Sequence, residues 1–428
     1  MAIDRKIQPG IKLPVDFELK LPDCEVFSLS NGVQVYAINM GTEDVLMINW
    51  VFYAGNHYEE QNTVAPAANF LLKNGTSSKT AFEIEESIDF YGAYLNRACY
   101  NETSELVLHC LTRHTGELLP VVADILTEAE FPEEEIKTYV QNARQRLKVG
   151  LQKSDFIAGR LIDAKLFGKT HPYGKYSNFE DYDAIERPQL KAFYDKHYKN
   201  GNCIIFVAGK LPPALPEMLE KNFGSLPLKP HTTAVIPEVK TNPSSVKEEH
   251  IVNEPNGVQA SIRIVRPFPN RHHPDFIPML VLNNVLGGFF GSRLMANIRE
   301  EKGYTYGIYS YLLNHIQESG LMISTEAGRD VMNATIKEVF KELERLKSKP
   351  IGKAELDVTR NYMIGSILGD LDGPFQVIGR WKNLLLNGLN EEFFYKSMNT
   401  IKTIKPSELK EIAEKYFIKD DFYQLTVI

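Results

Sequence analysis

The apolar positions of residues 27–38 read as a hairpin turning on Asn31-Gly32, a dipeptide that tolerates the positive φ angles of a type I′ turn. A half-buried strand is predicted over 46–53, followed by a helix that stops at Asn74-Gly75. Thr80-Ala-Phe-Glu83 has the spacing of a capping box and starts a second helix, which ends at Gly92. Two strands over 93–99 and 105–111 precede long amphipathic helices, one spanning 132–153, and residues 203–208 return as a strand. Strands grouped against blocks of helix predict an α+β fold, with an antiparallel-rich sheet carrying helices on one face.

This order of elements occurs twice. Glu85-Glu86 and Tyr91-Gly92 reappear as Glu300-Glu301 and Tyr306-Gly307, and Ser104-Glu-Leu106 reappears as Ser319-Gly-Leu321, an offset of about 215 positions. Leu190-Lys191 and Lys196 match Leu409-Lys410 and Lys415 at about 219 positions, so the second copy has gained about four residues. The second copy is expected to start at 258–265 and close at 423–428. Between the copies lies an aperiodic stretch rich in Pro, Thr and Ser, which divides the chain into a domain over 1–226, a linker over 227–246 and a domain over 247–428.

Length agrees with two homologous domains: 428 residues exceed what one core ordinarily supports. A formal charge of -7, with Lys and Arg dispersed along the chain, sets nucleic acid aside as a partner. The opening residues 1–10 lack the apolar run of an export signal, and the longest apolar stretch, near 45–54, is broken by Asn49 and too short to span a bilayer. A cytoplasmic protein with no membrane partner is expected. Cys24, Cys99, Cys110 and Cys203 show no paired spacing and read as reduced, mostly buried thiols.

Two segments carry the chemistry. The first is Val64-Ala-Pro-Ala-Ala-Asn-Phe-Leu-Leu-Lys-Asn-Gly-Thr76; the second is Leu286-Gly-Gly-Phe-Phe-Gly-Ser-Arg-Leu-Met-Ala-Asn-Ile-Arg-Glu-Glu-Lys-Gly-Tyr-Thr-Tyr306. In the second, Ser292 is a suitable N-cap, residues 293–302 fit one short helix, and Gly303 is its C′ residue. Arg299 therefore lies in the last turn. Strand alternation from Thr305 puts Tyr306 on the face of Ile308 and Ser310, and the abrupt helix-to-strand junction lets Arg299 and Tyr306 converge. Macrodipole and strand propensity alone also account for an Arg and a Tyr at such places.

Together the segments resemble the pitrilysin/insulinase-like metallopeptidases, whose zinc helix carries His-x-x-Glu-His and whose distal half carries a substrate-binding Arg and Tyr. Pro66, Asn69 and Phe70 stand at the degenerate positions of the first His, the Glu and the second His. Proline and phenylalanine have no lone pair for zinc, and a carboxamide is no base at neutral pH. The family's third ligand is a Glu on the helix over 132–153, where no acid follows Glu135. Neither His109 with His114 nor His272-His273 replaces that set; His109 reads as a satisfied core histidine and His171, in His-Pro-Tyr-Gly, as turn chemistry. No metal is expected in this chain.

By resemblance, the two domains close as a clam shell, and Arg299 and Tyr306 reach a peptide held at the zinc of another chain. The resemblance implies the zinc-free subunit of a heterodimeric metalloendopeptidase that acts on peptides, inactive alone, with zinc in a homologous partner bearing an intact motif. Gly287 and Gly288 read either as a loop touching substrate or as a close-packed turn. Asp275 and Pro278 are helix-start residues, and the Lys/Glu pattern from Lys337 is a solvated helix face. The alternative is a non-enzymatic structural or assembly subunit of the same fold.

Overall fold

A computed structural model describes residues 12–428, so residues 1–10, which carried the reading on export, lie outside the described residues. β1 (Glu25–Ser28) and β2 (Gln34–Asn39) form the expected hairpin, with Gly32 at φ +83° donating its N–H to the Leu29 carbonyl at 2.8 Å. β3 (Val45–Phe52), β4 (Tyr94–Cys99), β5 (Ser104–Leu111) and β6 (Asn202–Gly209) complete the first sheet in the order β1-β2-β6-β3-β5-β4, with short β7 (Lys229–Pro230) on β6. The second sheet comprises β8 (Glu248–Ile251), β9 (Gln259–Phe268), β10 (Thr305–Asn314), β11 (Ser319–Gly328) and β12 (Tyr423–Val427), in the order β10-β11-β9-β12-β8.

The orders β2-β6-β3-β5-β4 and β8-β12-β9-β11-β10 are one topology used twice, down to the parallel pairings β2/β6 and β8/β12. The second copy begins earlier than residue 258, because β8 belongs to it. Its Glu-Glu-His-Ile sequence is almost fully exposed and shows no apolar alternation, which is why the pattern hid it.

The first half contributes α1 (Val64–Leu71), α2 (Ala81–Asp89), α3 (Thr115–Glu128), α4 (Glu133–Gly150), α5 (Ser154–Phe167), α6 (Phe179–Asp183), α7 (Arg187–Tyr194) and α8 (Leu215–Phe223). The second contributes α9 (Phe276–Asn283), a helix over Met295–Glu301, α10 (Met332–Ser348), α11 (Lys353–Asp370), α12 (Pro374–Leu386), α13 (Glu391–Thr403) and α14 (Pro406–Tyr416). The capping box at α2 is present: the Thr80 hydroxyl accepts the Glu83 N–H at 3.3 Å, and Glu83 accepts the Thr80 N–H at 2.8 Å. Among the described residues no helix is long and apolar enough to cross a membrane.

Each sheet buries one face under its own helices and the other under a helix of the opposite half. In the first sheet Ile48, Trp50, Leu106 and Leu108 pack against α1, α3 and α8, while Val51, Ile204 and Phe206 point the other way, onto Val377 and Ile378 of α12. In the second sheet Ile262, Ile264, Leu321 and Ile323 face their own helices, and Val265, Met322, Leu425 and Val427 take Ile157, Ile162 and Leu166 of α5. The repeat makes α5 and α12 equivalent, so the two halves exchange the same helix. Burial on both faces explains why β6 is apolar along nearly its whole length. Each fully buried aliphatic side chain contributes about 1.5–3 kcal/mol, so this exchange is a large part of what holds the halves together.

One position in the repeat shows how the copies diverged. Glu105 of β5 points at α12, where its carboxylate takes Lys382 Nζ at 2.8 and 2.7 Å and Asn49 Nδ2 at 2.7 Å. Its counterpart, Gly320 of β11, lies under α5, and a Cβ there would stand 2.8 Å from a Leu166 methyl. A buried ion pair seats one exchanged helix; absence of a side chain seats the other.

Candidate functional site

α1 is built for packing. Val64, Ala65, Ala67, Ala68 and Leu71 are buried, and the chain enters the helix through Thr63 at φ +76°, a strained conformation for a β-branched residue. Asn69 is buried and donates to the Tyr198 hydroxyl at 3.2 Å and the Glu105 carbonyl at 3.4 Å. The Phe70 ring lies between Tyr139 of α4, at 5.1 Å, and the Arg97 guanidinium, at 4.5 Å. Arg97 also donates to the Phe70 carbonyl and to Asn74, and burial pushes its guanidinium down to about 10.

These residues do not fit zinc. A pyrrolidine, a phenyl ring and a carboxamide already engaged offer no ligand set, and Arg97 brings a positive charge to the same helix face. Among the described residues no group of three or more His, Cys, Asp or Glu is arranged to hold a metal ion. His109 differs from the satisfied core residue expected: it faces Phe375 of α12 edge-on at 5.7 Å, and its Nδ1 has no partner among the described residues. All four cysteines are free; Cys110 and Cys203 are buried and Cys24 and Cys99 half-buried, and burial pushes the Cys24 and Cys99 thiols up to about 12.

The second segment is more strained than a plain short helix. Over Met295–Glu301 the winding widens, with Lys302 donating back to Asn297 at 3.1 Å and Tyr304 to Ile298 at 3.0 Å, and Gly303 closes it at φ +65°. Ser292 does not cap with its side chain; its carbonyl accepts the Ala296 N–H, and its buried hydroxyl has no partner among the described residues. Asn297 on this helix donates to Glu338 at 3.0 Å and Glu342 at 2.5 Å, so the Lys/Glu face of α10 is not simply solvated: Glu342 is buried.

Tyr306 lies on the opposite face from the one alternation predicts. The β10/β11 register shifts between Thr305 and Ile308, so Tyr306 and Gly307 together oppose Glu326, and Tyr306 joins Tyr309 and Tyr311 on the exposed side. Threonine hydroxyls stabilise the bulge: Thr305 Oγ1 accepts the Gly307 N–H at 3.1 Å and lies 2.6 Å from the Glu326 carbonyl, while Thr325 Oγ1 donates to the Gly307 carbonyl at 2.8 Å. The Tyr306 side chain is 93% exposed.

Arg299 and Tyr306 are adjacent, though through the backbone. Arg299 Nε donates to the Tyr306 carbonyl at 3.0 Å, and the guanidinium lies 4.7 Å over the ring of Phe290, a residue the sequence reading passed over. Its position in Gly-Phe-Phe-Gly, just ahead of the helix, was the available signal. Arg299 Nη1 lies 3.8 Å from the Glu300 carboxylate, and no hydrogen bond engages the terminal N–H groups or the Tyr306 phenol among the described residues. Gly287 is buried, and a Cβ there would stand 2.7 Å from the Ser310 hydroxyl and 2.8 Å from its backbone nitrogen; at half-buried Gly288 it would meet Asn284 Oδ1 at 2.8 Å. Close packing accounts for Gly287, whereas at Gly288 only the Asn284 side chain stands in the way. No hydrogen bond, ion pair or ring contact joins the Arg299/Tyr306 group to Pro66, Asn69 or Phe70 among the described residues.

A third cluster escaped the sequence reading because its members meet only in the fold. His57, His171 and His315 surround Tyr173, whose ring stacks on His315 at 4.0 Å and whose hydroxyl donates to Glu102. His171 is tied to Val239 of the linker at 3.1 Å, and His315 to Asn101 at 3.2 Å, so both halves and the tether meet here. Burial, aided by the charge of neighbouring imidazoles, pushes His57 and His315 down to about 4, and Lys175 adds to the effect at His57. Their folded values lie below the unfolded value of about 6.5, so the unfolded chain binds more protons in that window and stability falls as pH drops from 7 toward 4. We expect a loss of about 2 kcal/mol for the pair between pH 7 and pH 5 after discounting for solvent contact. Asp163, pushed up to about 7 by burial, acts in the opposite sense. Denaturant titrations at both pH values should therefore show a shallower pH slope for His57→Gln plus His315→Gln than for the natural chain; an unchanged slope would refute this account.

A family profile described as the peptidase M16 inactive domain matches residues 184–363. YmxG of Bacillus subtilis, an uncharacterized zinc protease, is 26% identical over 411 residues, covering 94% of this chain and 97% of that one. A probable mitochondrial-processing peptidase subunit beta of Arabidopsis thaliana is 23% identical, covering 94% of this chain and 78% of its own. Among solved structures, the peptidase M16 inactive domain from Pseudomonas fluorescens superposes with a TM-score of 0.86 at 22% identity, over 95% of this chain and 98% of that one. A protease from Helicobacter pylori follows with 0.84 at 18%, over 95% and 100%. At these identities the solved structures speak for the fold.

Proposed function

We propose that this chain, which belongs to the pitrilysin-like peptidase M16 family, is the substrate-binding, zinc-free subunit of a heterodimeric metalloendopeptidase. In this reading residues 1–226 hold the reworked helix, 227–246 tether the halves, and 247–428 present Arg299 and Tyr306 to a peptide bound on a homologous partner in the cytoplasm. Zinc belongs to that partner, and no step is assigned to this chain through it. The Arabidopsis relative, itself named as a subunit, supports a two-chain assembly.

One observation carries the proposal: a bulge held by two threonine hydroxyls presents a phenol that is 93% exposed, beside an arginine steadied by Phe290. A scaffold protein has no evident need for that arrangement. Arg299 supplies charged N–H donors to a substrate carbonyl, and Tyr306 supplies an O–H where negative charge develops on the carbonyl oxygen. Pre-positioning matters because the Arg299 side chain is already ordered and loses little entropy on meeting the peptide. The peptide itself would add as a strand to a sheet edge of the partner, read mainly through its backbone.

The test is to mix the purified chain with a homologous chain bearing an intact His-x-x-Glu-His and assay a fluorogenic peptide. No turnover is expected from either chain alone, and turnover is expected from the mixture. Hydrolysis by this chain alone would overturn the proposal. A mixture that assembles but gains no activity would favour the structural or assembly reading.

A further inference from the structure

We infer that the cavity between α9, α11, α12 and α13 is a binding site for a small organic carboxylate with an apolar body. This holds whether or not the chain serves a peptidase. The cavity measures about 590 Å³, within the range of small-molecule sites. Leu280, Met363, Phe393 and Met398 give it an apolar wall.

Its cationic groups are two guanidinium groups, set among neutral polar side chains that include Asn284, Asn314 and Gln376. Arg271 donates from Nη1 to Asn383, and Arg380 donates from Nη2 to Asp370 at 2.7 Å. Asn383 lies one turn along α12 from Arg380, so the two arginines meet on the same wall. The Nε atom of each is buried without a hydrogen-bond partner among the described residues. Burial also pulls the Arg271 guanidinium below its ordinary value, which a bound anion would reverse.

Charge decides the class of ligand. The charged residues lining the cavity are Arg271, Arg380 and Asp370, two cations against one anion. Asp370 already serves Arg380, leaving a surplus suited to one negative charge rather than a polyphosphate. A carboxylate matches the planar fork of a guanidinium, and its apolar remainder would fill the wall. The outer nitrogens Arg271 Nη2 and Arg380 Nη1 make no hydrogen bond among the described residues and are the donors a carboxylate would take, which gives specificity as well as affinity.

Isothermal titration of the full chain tests this with acetyl-leucyl-phenylalanine as the free acid, its C-terminal amide, and decanoate. The acid is expected to bind and the amide to bind at least about tenfold more weakly, the scale of one lost charge-assisted hydrogen bond. Arg271→Gln and Arg380→Gln should each weaken the acid by about tenfold or more, with Arg271→Lys recovering part of the loss. Decanoate binding as well as the acid would identify any amphipathic carboxylate as the ligand, and weaker decanoate binding a peptide end; both support the site. Equal binding of acid and amide, or no carboxylate binding at millimolar concentration, would overturn it. If the Gln variants fail to fold, the acid/amide comparison on the natural chain still decides.

Discussion

Alanine at Arg299 is expected to lower turnover by the mixed subunits by about 10²- to 10³-fold, the usual cost of one donor aimed at a developing oxyanion. The side chain has three fixed points: the Tyr306 carbonyl at 3.0 Å, the Phe290 ring at 4.7 Å and the neighbouring Glu300 carboxylate at 3.8 Å. Removing it therefore deletes a donor and loosens the bulge that carries Tyr306, so both roles fall together. Tyr306→Phe separates them. The phenol makes no internal contact at 93% exposure, so its loss should leave the melting temperature unchanged while turnover drops at least about tenfold. Assembly of the variants with the partner, followed by sedimentation, controls for simple loss of binding. If both substitutions leave the mixed activity intact, Arg299 and Tyr306 are structural, and the assembly reading replaces the catalytic one.

Lys382→Met should destabilise the chain by about 3 kcal/mol, measured by denaturant unfolding, because breaking a buried ion pair strands the other charge. Glu105 has only 7% of its side chain exposed and Lys382 24%, which places the effect at the lower end of the range for such pairs. Asn49 alone cannot offset the orphaned carboxylate. The double change Lys382→Met with Glu105→Leu should recover much of the loss, since two apolar groups of similar volume suit the interface between β5 and α12. A single-variant cost below about 1 kcal/mol would mean that water reaches the pair and that apolar packing alone seats α12.

Elements specified by neighbours in the chain were legible beforehand. The Asn31-Gly32 turn, the Thr80 capping box and Gly303 after the Arg299 helix depend on backbone preference and on side chains a few residues away. The duplication was legible for a related reason, since two copies of one topology retain the same order of local signals. Where a partner distant in sequence decides the outcome, the reading fell short. Strand β8 is polar because it lies at the sheet edge, where its side chains bond Gln424 and Thr426 of β12, and the face of Tyr306 turns on Thr325, a residue of the neighbouring strand. Glu342 has the helical spacing of a solvated residue but is covered by Asn297, and Ser292 has the position of a cap but its hydroxyl makes no such bond.

By itself, the sequence determined the α+β class, its use twice, and the absence from α1 of side chains able to ligate zinc, because each follows from residue chemistry at fixed spacing. Only the tertiary structure decided that α5 and α12 trade places between the halves, that a bulge turns Tyr306 outward beside Arg299, and that His57, His171 and His315 meet around Tyr173. Those outcomes depend on which surfaces find each other across more than a hundred residues of intervening chain, and on one extra residue in a ladder, which reverses a side chain that local periodicity had placed on the face of Ile308 and Ser310.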